Sequence, residues 1–410
     1  MMPGSALNGV ARKTFLPYAL PSIGEAEIAE VVDSLRSGWI TMGPKVKRFE
    51  ADFAGYVGAP HAVALNSCTA GLEIALHALG VGPGDEVIIP TITFCATANV
   101  VVHLGAKPVL VDVLDDLNID PAAAEAAVTP KTRVIMPVHY GGQACDLEPI
   151  YGLAARHHLA VIEDAAHAVA TEYRGRRVGS AFDTRWARPA SRATVFSFYA
   201  TKNLATGEGG MLTTDDPHFA DRCRRLALHG MSRDAWQRYT SAGSWYYEVV
   251  EPGYKQNMTD VQASLGIHQL RRIDDFTATR QRYAGIYDAA LKDLAEVRLP
   301  VRHDDRNHTF HLYPVRFDTS RLTIGRDEII QELTRCNIGT SVHFIPVHMH
   351  PYYRETYGYA SGDIPHAEAL FAELVSLPLY PAMSEDDLIS VYQAVRAIVR
   401  EFRRQPAGAR

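Results

Sequence analysis

Three groups of residues, each directly after a short apolar run, carry side chains that could act together. Lys202 follows "TVFSF" through Tyr199, Ala200 and Thr201, and precedes the glycine-rich stretch 203–210. A lysine held just beyond a buried strand has its pKa lowered by desolvation, and its neutral amine can condense with an aldehyde cofactor. Taken alone, such a lysine is nearly always a surface residue, and its position gains weight only from the other groups. Asp164, Ala165, Ala166 and His167 follow "LAVIE". A carboxylate at the end of a buried strand is costly unless it meets a cation or several donors. A pyridinium nitrogen would satisfy it, with His167 within reach of the ring's substituents; a structural Asp at a helix start is the alternative. Third, Asn66-Ser67-Cys68-Thr69-Ala70-Gly71 leads from "AVAL" into "LEIALHAL". Small hydroxylated residues at a helix N-terminus suit an anion such as phosphate, or form an ordinary N-cap.

Two other patterns point elsewhere and carry less. "GVGPGDEV" looks like a dinucleotide fingerprint, but it follows a helix and precedes a strand, the reverse of what pyrophosphate binding requires. His343, His348 and His350 in "SVHFIPVHMH" lack an accompanying Cys or carboxylate motif, so no metal is expected and substrate contact or packing is the better use of them.

These groups need a frame. Between about residues 60 and 215, seven short apolar runs alternate with helical stretches: "AVAL", "EVIIP", "PVLVDV", "RVIMPV", "AVIEDA", "TVFSF" and "GGMLTT". Such alternation predicts a mainly parallel sheet covered by helices on both faces, with ligands at the carboxyl ends of the strands. Upstream, Ser22 with Glu25 reads as a capping box, and Ile28, Val31, Val32 and Leu35 recur on one helical face. A second helix begins at Pro44. From 271 the chain changes to a long charged helical stretch, then an alternating strand in "TFHLYPVRF" and helices in "GRDEIIQELTRC" and "EDDLISVYQAVRAIVREF". The expected organisation is a large α/β domain over 15–270 and a smaller α+β domain over 271–410, with a loose tail "RRQPAGAR".

Bulk properties exclude several classes. A chain of 410 residues with 47% hydrophobic and 21% charged residues buries a large core unaided, and a net charge of -6 gives no reason to expect nucleic acid or membrane. Five scattered cysteines without CxxC pairs fit reduced thiols in the cytoplasm. The opening "MMPGSALNGVARKT" lacks the apolar core of an export signal. Val87 to Ala106 carries no formal charge over twenty residues, but its Pro, Thr, Asn, His and Gly residues parse it as strand, loop and helix.

With these pieces in order, the chain resembles the DegT/DnrJ/EryC1/StrS family of sugar aminotransferases that depend on pyridoxal 5'-phosphate (PLP). The motifs are "SGWITMGPKVKRFE", "GVGPGDEVIIPTITF", "VIEDAAHAV", "FSFYATKNLATGEGG" and "PGYKQNMTDVQASLGIHQL", extended by "HFIPVHMHPYY" and "LSLPLYP", over about residues 15–400. The resemblance implies a fold-type-I aminotransferase, whose large domain holds a mainly parallel seven-stranded sheet. It implies that Lys202 is the lysine that carries the cofactor, Asp164 its pyridinium partner and His167 the neighbour of the ring oxygen. Phe94 takes the place that stacks on the ring, and Ser67, Cys68, Thr69 and Ser197 the phosphate-binding places. Asn257 matches a residue that reaches a phosphate from the other subunit, implying a homodimer with shared active sites.

"GYK.N.TD", "DAAHAV" and "GWIT.GPK" are most similar to the branch acting at C4 of nucleotide-linked 4-keto sugars, such as TDP- or UDP-4-keto-6-deoxy hexoses, with L-glutamate as amino donor. Lys255 and His343 become candidates for contacting the sugar nucleotide, and Tyr199 stands where that branch often has His. Gln256 replaces an aromatic residue, and "TRWARPAS" at 184–191 is an insertion that would reshape the substrate entrance. The implied product is an amino sugar nucleotide for antibiotic or glycan biosynthesis, made by ping-pong transfer in which Lys202 moves protons to and from the cofactor. Three rivals are the family's PLP sugar dehydratases and deoxygenases, which have a His in place of Lys202, a PLP-binding regulator of the same family, and a nicotinamide oxidoreductase, which lacks its glycine-rich turn after the first strand.

Overall fold

The computed structural model describes residue 7, residues 9–231 and residues 246–405; the last part of the expected loose tail, from 406 onward, lies outside them. All seven apolar runs become strands of one sheet: β1 (His61–Leu65), β2 (Glu86–Pro90), β3 (Lys107–Val111), β4 (Thr132–Ile135), β5 (Ala160–Ala165), β6 (Arg192–Ser197) and β7 (Gly210–Thr214). Their spatial order is β1-β7-β6-β5-β4-β2-β3. Only β7 is reversed, antiparallel to β1 and β6, so the other six strands end on the same edge. Every position of β2 and β5 is buried, as expected of central strands covered on both faces.

Helices seal each face. One core packs the sheet against helices Cys68–Ala78, Cys95–His103 and Pro217–Ala227. The other packs it against Pro44–Val57, Leu147–Arg156 and Asp260–Arg271, where Phe49, Phe53, Phe196 and Phe198 interlock with ring centroids 5.0–5.5 Å apart. A third core joins helices Ile273–Leu291, Arg326–Arg335 and Glu385–Phe402 to an antiparallel sheet of β8 (Val297–Arg298), β9 (Tyr313–Phe317) and β10 (Leu374–Leu377). Leu7 and Leu16 add to this last core.

The first helix differs from expectation. It runs Glu25–Ser37 with Gly24 as N-cap, and it is Glu27 that folds back to accept the Gly24 N–H at 3.1 Å. Ser22 instead accepts from Arg272 at 3.1 Å, and its carbonyl accepts from Gln269 at 2.8 Å. The apolar stripe stays open, with Ile28 47% and Leu35 58% exposed, while Glu27 and Ser34 are buried. Polar groups do the docking: Ser34 and Ser264 hydroxyls meet at 2.8 Å, and Glu27 accepts from Gln269 at 2.7 Å and Arg272 at 3.0 Å.

Gly210 ties the sheet to the loop after β1. It pairs with Leu65 on one side and Ser197 on the other, and a Cβ there would sit 2.5 Å from the Ser67 carbonyl. Only glycine lets β7 pass this close. Gly285, on an exposed turn of Ile273–Leu291, has nothing within 4 Å of an added Cβ. Gly210→Ala should therefore destabilise the protein by about 1–3 kcal/mol through overpacking, whereas Gly285→Ala should stabilise it by about 0.5–1 kcal/mol. Denaturant unfolding of the two variants checks the opposite signs; equal and small shifts would discount the close approach.

Candidate active site

Five of the six strands that end together, all but β3, deliver their following loops to one pocket of about 340 Å³. Ser67, Cys68 and Thr69 come from the loop after β1, Phe94 and Thr97 from that after β2, Asp164 and His167 from β5, and Ser197, Tyr199 and Lys202 from β6. His343 arrives from the stretch before Pro351–Tyr357. Nine of the sequence candidates thus share the pocket with Lys202: Ser67, Cys68, Thr69, Phe94, Asp164, His167, Ser197, Tyr199 and His343. Asn257 and Lys255 do not. Asn257 lines a separate hollow beside Met42, Gly43 and Arg224, and the Lys255 ammonium donates to the Asn257 carbonyl oxygen at 2.5 Å.

Asp164 is buried, 5% exposed, yet accepts only from the Thr97 hydroxyl at 2.8 Å and the Ala166 N–H at 3.1 Å, with the Cys68 thiol at 3.8 Å. Thr93 backs Thr97 at 2.7 Å. Burial raises the Asp164 pKa, against the lowering effect of the Thr97 and Ala166 bonds and the Lys202 charge. Its neighbour Glu163 points to the opposite face of β5. There it accepts from Tyr151 at 2.5 Å and from His139 at 3.1 Å, with Arg192 at 3.6 Å. Burial works to raise the Glu163 pKa, but the His139 bond and the Arg192 charge outweigh it and hold the carboxyl below its ordinary value. Asp164 itself is held along the strand end by Pro137 and His139 backbone bonds of 2.8 and 3.0 Å.

Lys202 is partly exposed to the pocket, its N–H bonded to the Tyr199 carbonyl at 2.8 Å. Burial lowers its pKa to about 8, opposed by the nearby Cys68 and Asp164. His167 accepts the Gly141 N–H on Nδ1 at 3.2 Å, so the neutral ring carries its proton on Nε2. Burial, with Lys202 and His343 adding to it, pushes its pKa well down. At the start of Cys68–Ala78 the Ser67 hydroxyl accepts the Ala70 N–H at 3.1 Å, leaving the Cys68 and Thr69 N–H groups of the first turn without an intrahelical partner. Phe94 is 59% exposed, its ring 5.8 Å from that of Phe344.

Several lining residues were not legible in the chain. Thr97 could have been found by the same strand-end rule that found Asp164. Phe344 adjoins the candidate His343, but Tyr18, Arg280 and His311 could not be found, since each comes from a segment remote in sequence. His311 stacks on His167 at 4.4 Å between centroids and donates from Nδ1 to the Asn203 carbonyl oxygen at 3.1 Å. His343 pairs with Ser376 at 2.9 Å, and burial lowers its pKa to about 3. His348 faces away, joining Thr91 at 2.7 Å to Glu368 at 3.1 Å. The 184–191 insertion does not line the entrance. It leads into the amino end of β6, opposite the pocket, where Trp186 packs on Tyr151 and Tyr173 at 5.6 and 5.5 Å.

Similar proteins match this chain across nearly their whole length. The Bacillus subtilis (strain 168) spore coat polysaccharide biosynthesis protein SpsC is 55% identical over 391 residues, covering 95% of this chain and 98% of SpsC. Spr1654 of Streptococcus pneumoniae, proposed to be a sugar aminotransferase, superposes in its PMP form with a TM-score of 0.87 at 35% identity, covering 94% of this chain and 99% of that one. Its PLP form gives a TM-score of 0.84 at 34% identity, covering 93% and 99%. The model of the DegT/DnrJ/EryC1/StrS aminotransferase family matches residues 21–396, and the chain belongs to that family.

Proposed function

We propose that this aminotransferase moves the amino group of L-glutamate to a keto carbon, C4, of a nucleotide-linked sugar such as a 4-keto-6-deoxy hexose, with PLP carried on Lys202. The observation that carries the reading is the gathering in one pocket of a lysine with a lowered pKa, a buried carboxylate with spare accepting capacity and an open helix N-terminus. These suit the three ends of PLP: aldehyde, ring nitrogen and phosphate. Asp164 would hold the ring nitrogen; Ser67, Cys68, Thr69 and Ser197 the phosphate; Phe94 and His167 the ring and its oxygen.

Bound PLP supplies an aldehyde that captures amines and a ring that withdraws electrons. Lys202 would hold the cofactor's aldehyde carbon and, once its amine is free, would serve as the base and acid that moves the proton in each half-reaction. Asp164 would keep the ring nitrogen protonated and the ring electron-poor. His167, neutral with Nε2 protonated, donates a hydrogen bond without adding charge.

Tyr199 and His343 would face the sugar. We assign Asn257 and Lys255 to the neighbouring pocket of a homodimer, because both lie outside the Lys202 pocket of their own chain. The open apolar residues Leu20, Ile23, Ile28, Leu35 and Ile40 support a second copy covering that face. The five thiols, none paired, fit work in the cytoplasm; the product would feed glycan or antibiotic assembly.

Two measurements test the reading. Absorbance of the PLP-loaded protein should bleach on adding L-glutamate; Lys202→Ala should keep the cofactor and lose the response, and Asp164→Asn should slow it roughly 10²–10³-fold. A wild type that binds no PLP would remove the proposal. Capture of PLP by the cofactor-free protein needs a neutral amine, so its rate should climb as pH rises through about 8. Rapid mixing followed at the cofactor band checks this. A rise that begins only above pH 10, as for a solvated lysine, would mean that the pocket does not tune Lys202.

A further inference from the structure

Arg280 stands in the pocket with a charge that nothing in the fold answers. It extends from helix Ile273–Leu291 and is 3% exposed. Its Nη1 donates to three backbone carbonyls, of Phe310 at 3.2 Å, His311 at 3.4 Å and Leu379 at 2.6 Å. Its Nε has no partner, and among the described residues no carboxylate lies within ion-pair distance. Carbonyls position a guanidinium but do not neutralise it, and an unpaired buried charge is among the costlier features a fold can keep. Burial lowers the Arg280 pKa only to about 10, so the group is cationic at neutral pH.

The surroundings sharpen the point. Around Arg280 the same pocket holds Lys202, together with His167, His311 and His343, all three kept neutral chiefly by burial. Of the two carboxylates in the lining, neither Asp164, which accepts from Thr97 and Ala166, nor Glu208, on the exposed side of the glycine-rich loop, is within ion-pair distance of Arg280. A ligand with a carboxylate would supply the missing anion, and the planar fork of a guanidinium takes that group bidentately.

We infer that Arg280 is the residue that binds a carboxylate of the amino donor, so that it selects amino acids over simple amines. The inference rests on the transaminase reading for its donor, but not for the existence of the anion site. Arg280 would remain cationic in both half-reactions, and the donor's departure as a keto acid would empty the site.

The test uses the PLP-loaded protein and its Arg280→Gln and Arg280→Lys variants. Glutarate, a dicarboxylate that cannot react, is titrated by calorimetry, and bleaching of the cofactor band is followed against L-glutamate and against ethanolamine, an amine without a carboxylate. Loss of one charge-assisted contact predicts roughly ten- to hundred-fold weaker glutarate binding and a matching rise in half-saturating L-glutamate for Arg280→Gln. Arg280→Lys should recover part of both, and ethanolamine rates should be unchanged. An Arg280→Gln protein with the wild-type cofactor band and wild-type affinity for glutarate overturns the assignment. Should Arg280→Gln fail to fold, the wild type decides: glutarate that neither binds nor competes with L-glutamate also overturns it. If glutarate binds through Arg280 while L-glutamate leaves the band unchanged, the anion site stands and the glutamate reading falls.

Discussion

A buried carboxylate at the carboxyl end of a central parallel strand organises this molecule. Asp164 lies on β5, flanked by β4 and β6, where it is almost fully buried and the donors that meet it, Thr97, Ala166 and the Cys68 thiol, are all uncharged. The structure keeps its backbone in place on the β4 side through Pro137 and His139, and anchors the adjacent Glu163 on the far face to His139, Tyr151 and Arg192. Two neighbouring acids therefore have opposite fates. Glu163 is satisfied by the protein and has its pKa lowered; Asp164 is left short of a cation and has its pKa raised. An incompletely answered charge of this kind is tolerated where a ligand completes it.

Around that point the sheet does the positioning. Six co-directional strands bring their trailing loops to one edge, and the reversed β7 brings Gly210 between the ends of β1 and β6, so close to Ser67 that no side chain fits. The helix N-terminus at Ser67 and the lysine loop after β6 are thus set against each other by backbone packing rather than by side-chain contacts. Rigid elements of this kind hold reacting groups more closely than free loops can.

Charge within the pocket is distributed by burial. Three histidines are held neutral, each with a ring nitrogen bonded to a neighbour: His167 to Gly141, His311 to Asn203, His343 to Ser376. Lys202 has its pKa lowered to about 8 by the same desolvation, and Arg280, too basic to lose its proton, keeps its charge. The pocket is consequently ready for anions at two places, the helix N-terminus and Arg280, with an amine between them able to exchange protons.

Much of this was legible in the chain. Lys202, Asp164, His167, Ser67, Cys68 and Thr69 each follow a recognisable apolar run, and in a parallel sheet chain position after a strand already means position at the ligand-binding edge. Seven strands and the helices between them follow from the same alternation. Tertiary structure alone decided what joins them. Arg280, His311 and Tyr18 come from segments that no local pattern links to the pocket, because their approach is set by how the C-terminal helices and sheet pack on the large one. Packing also overruled local patterns in places: Gly24 and Glu27 form the first cap because Arg272 and Gln269 occupy Ser22, and polar Glu27 and Ser34 dock the first helix while its apolar stripe stays open. Residue types and spacing determine which groups stand at the strand ends; which distant charge faces them, and which helix face is covered, depends on contacts that exist only once the chain has folded.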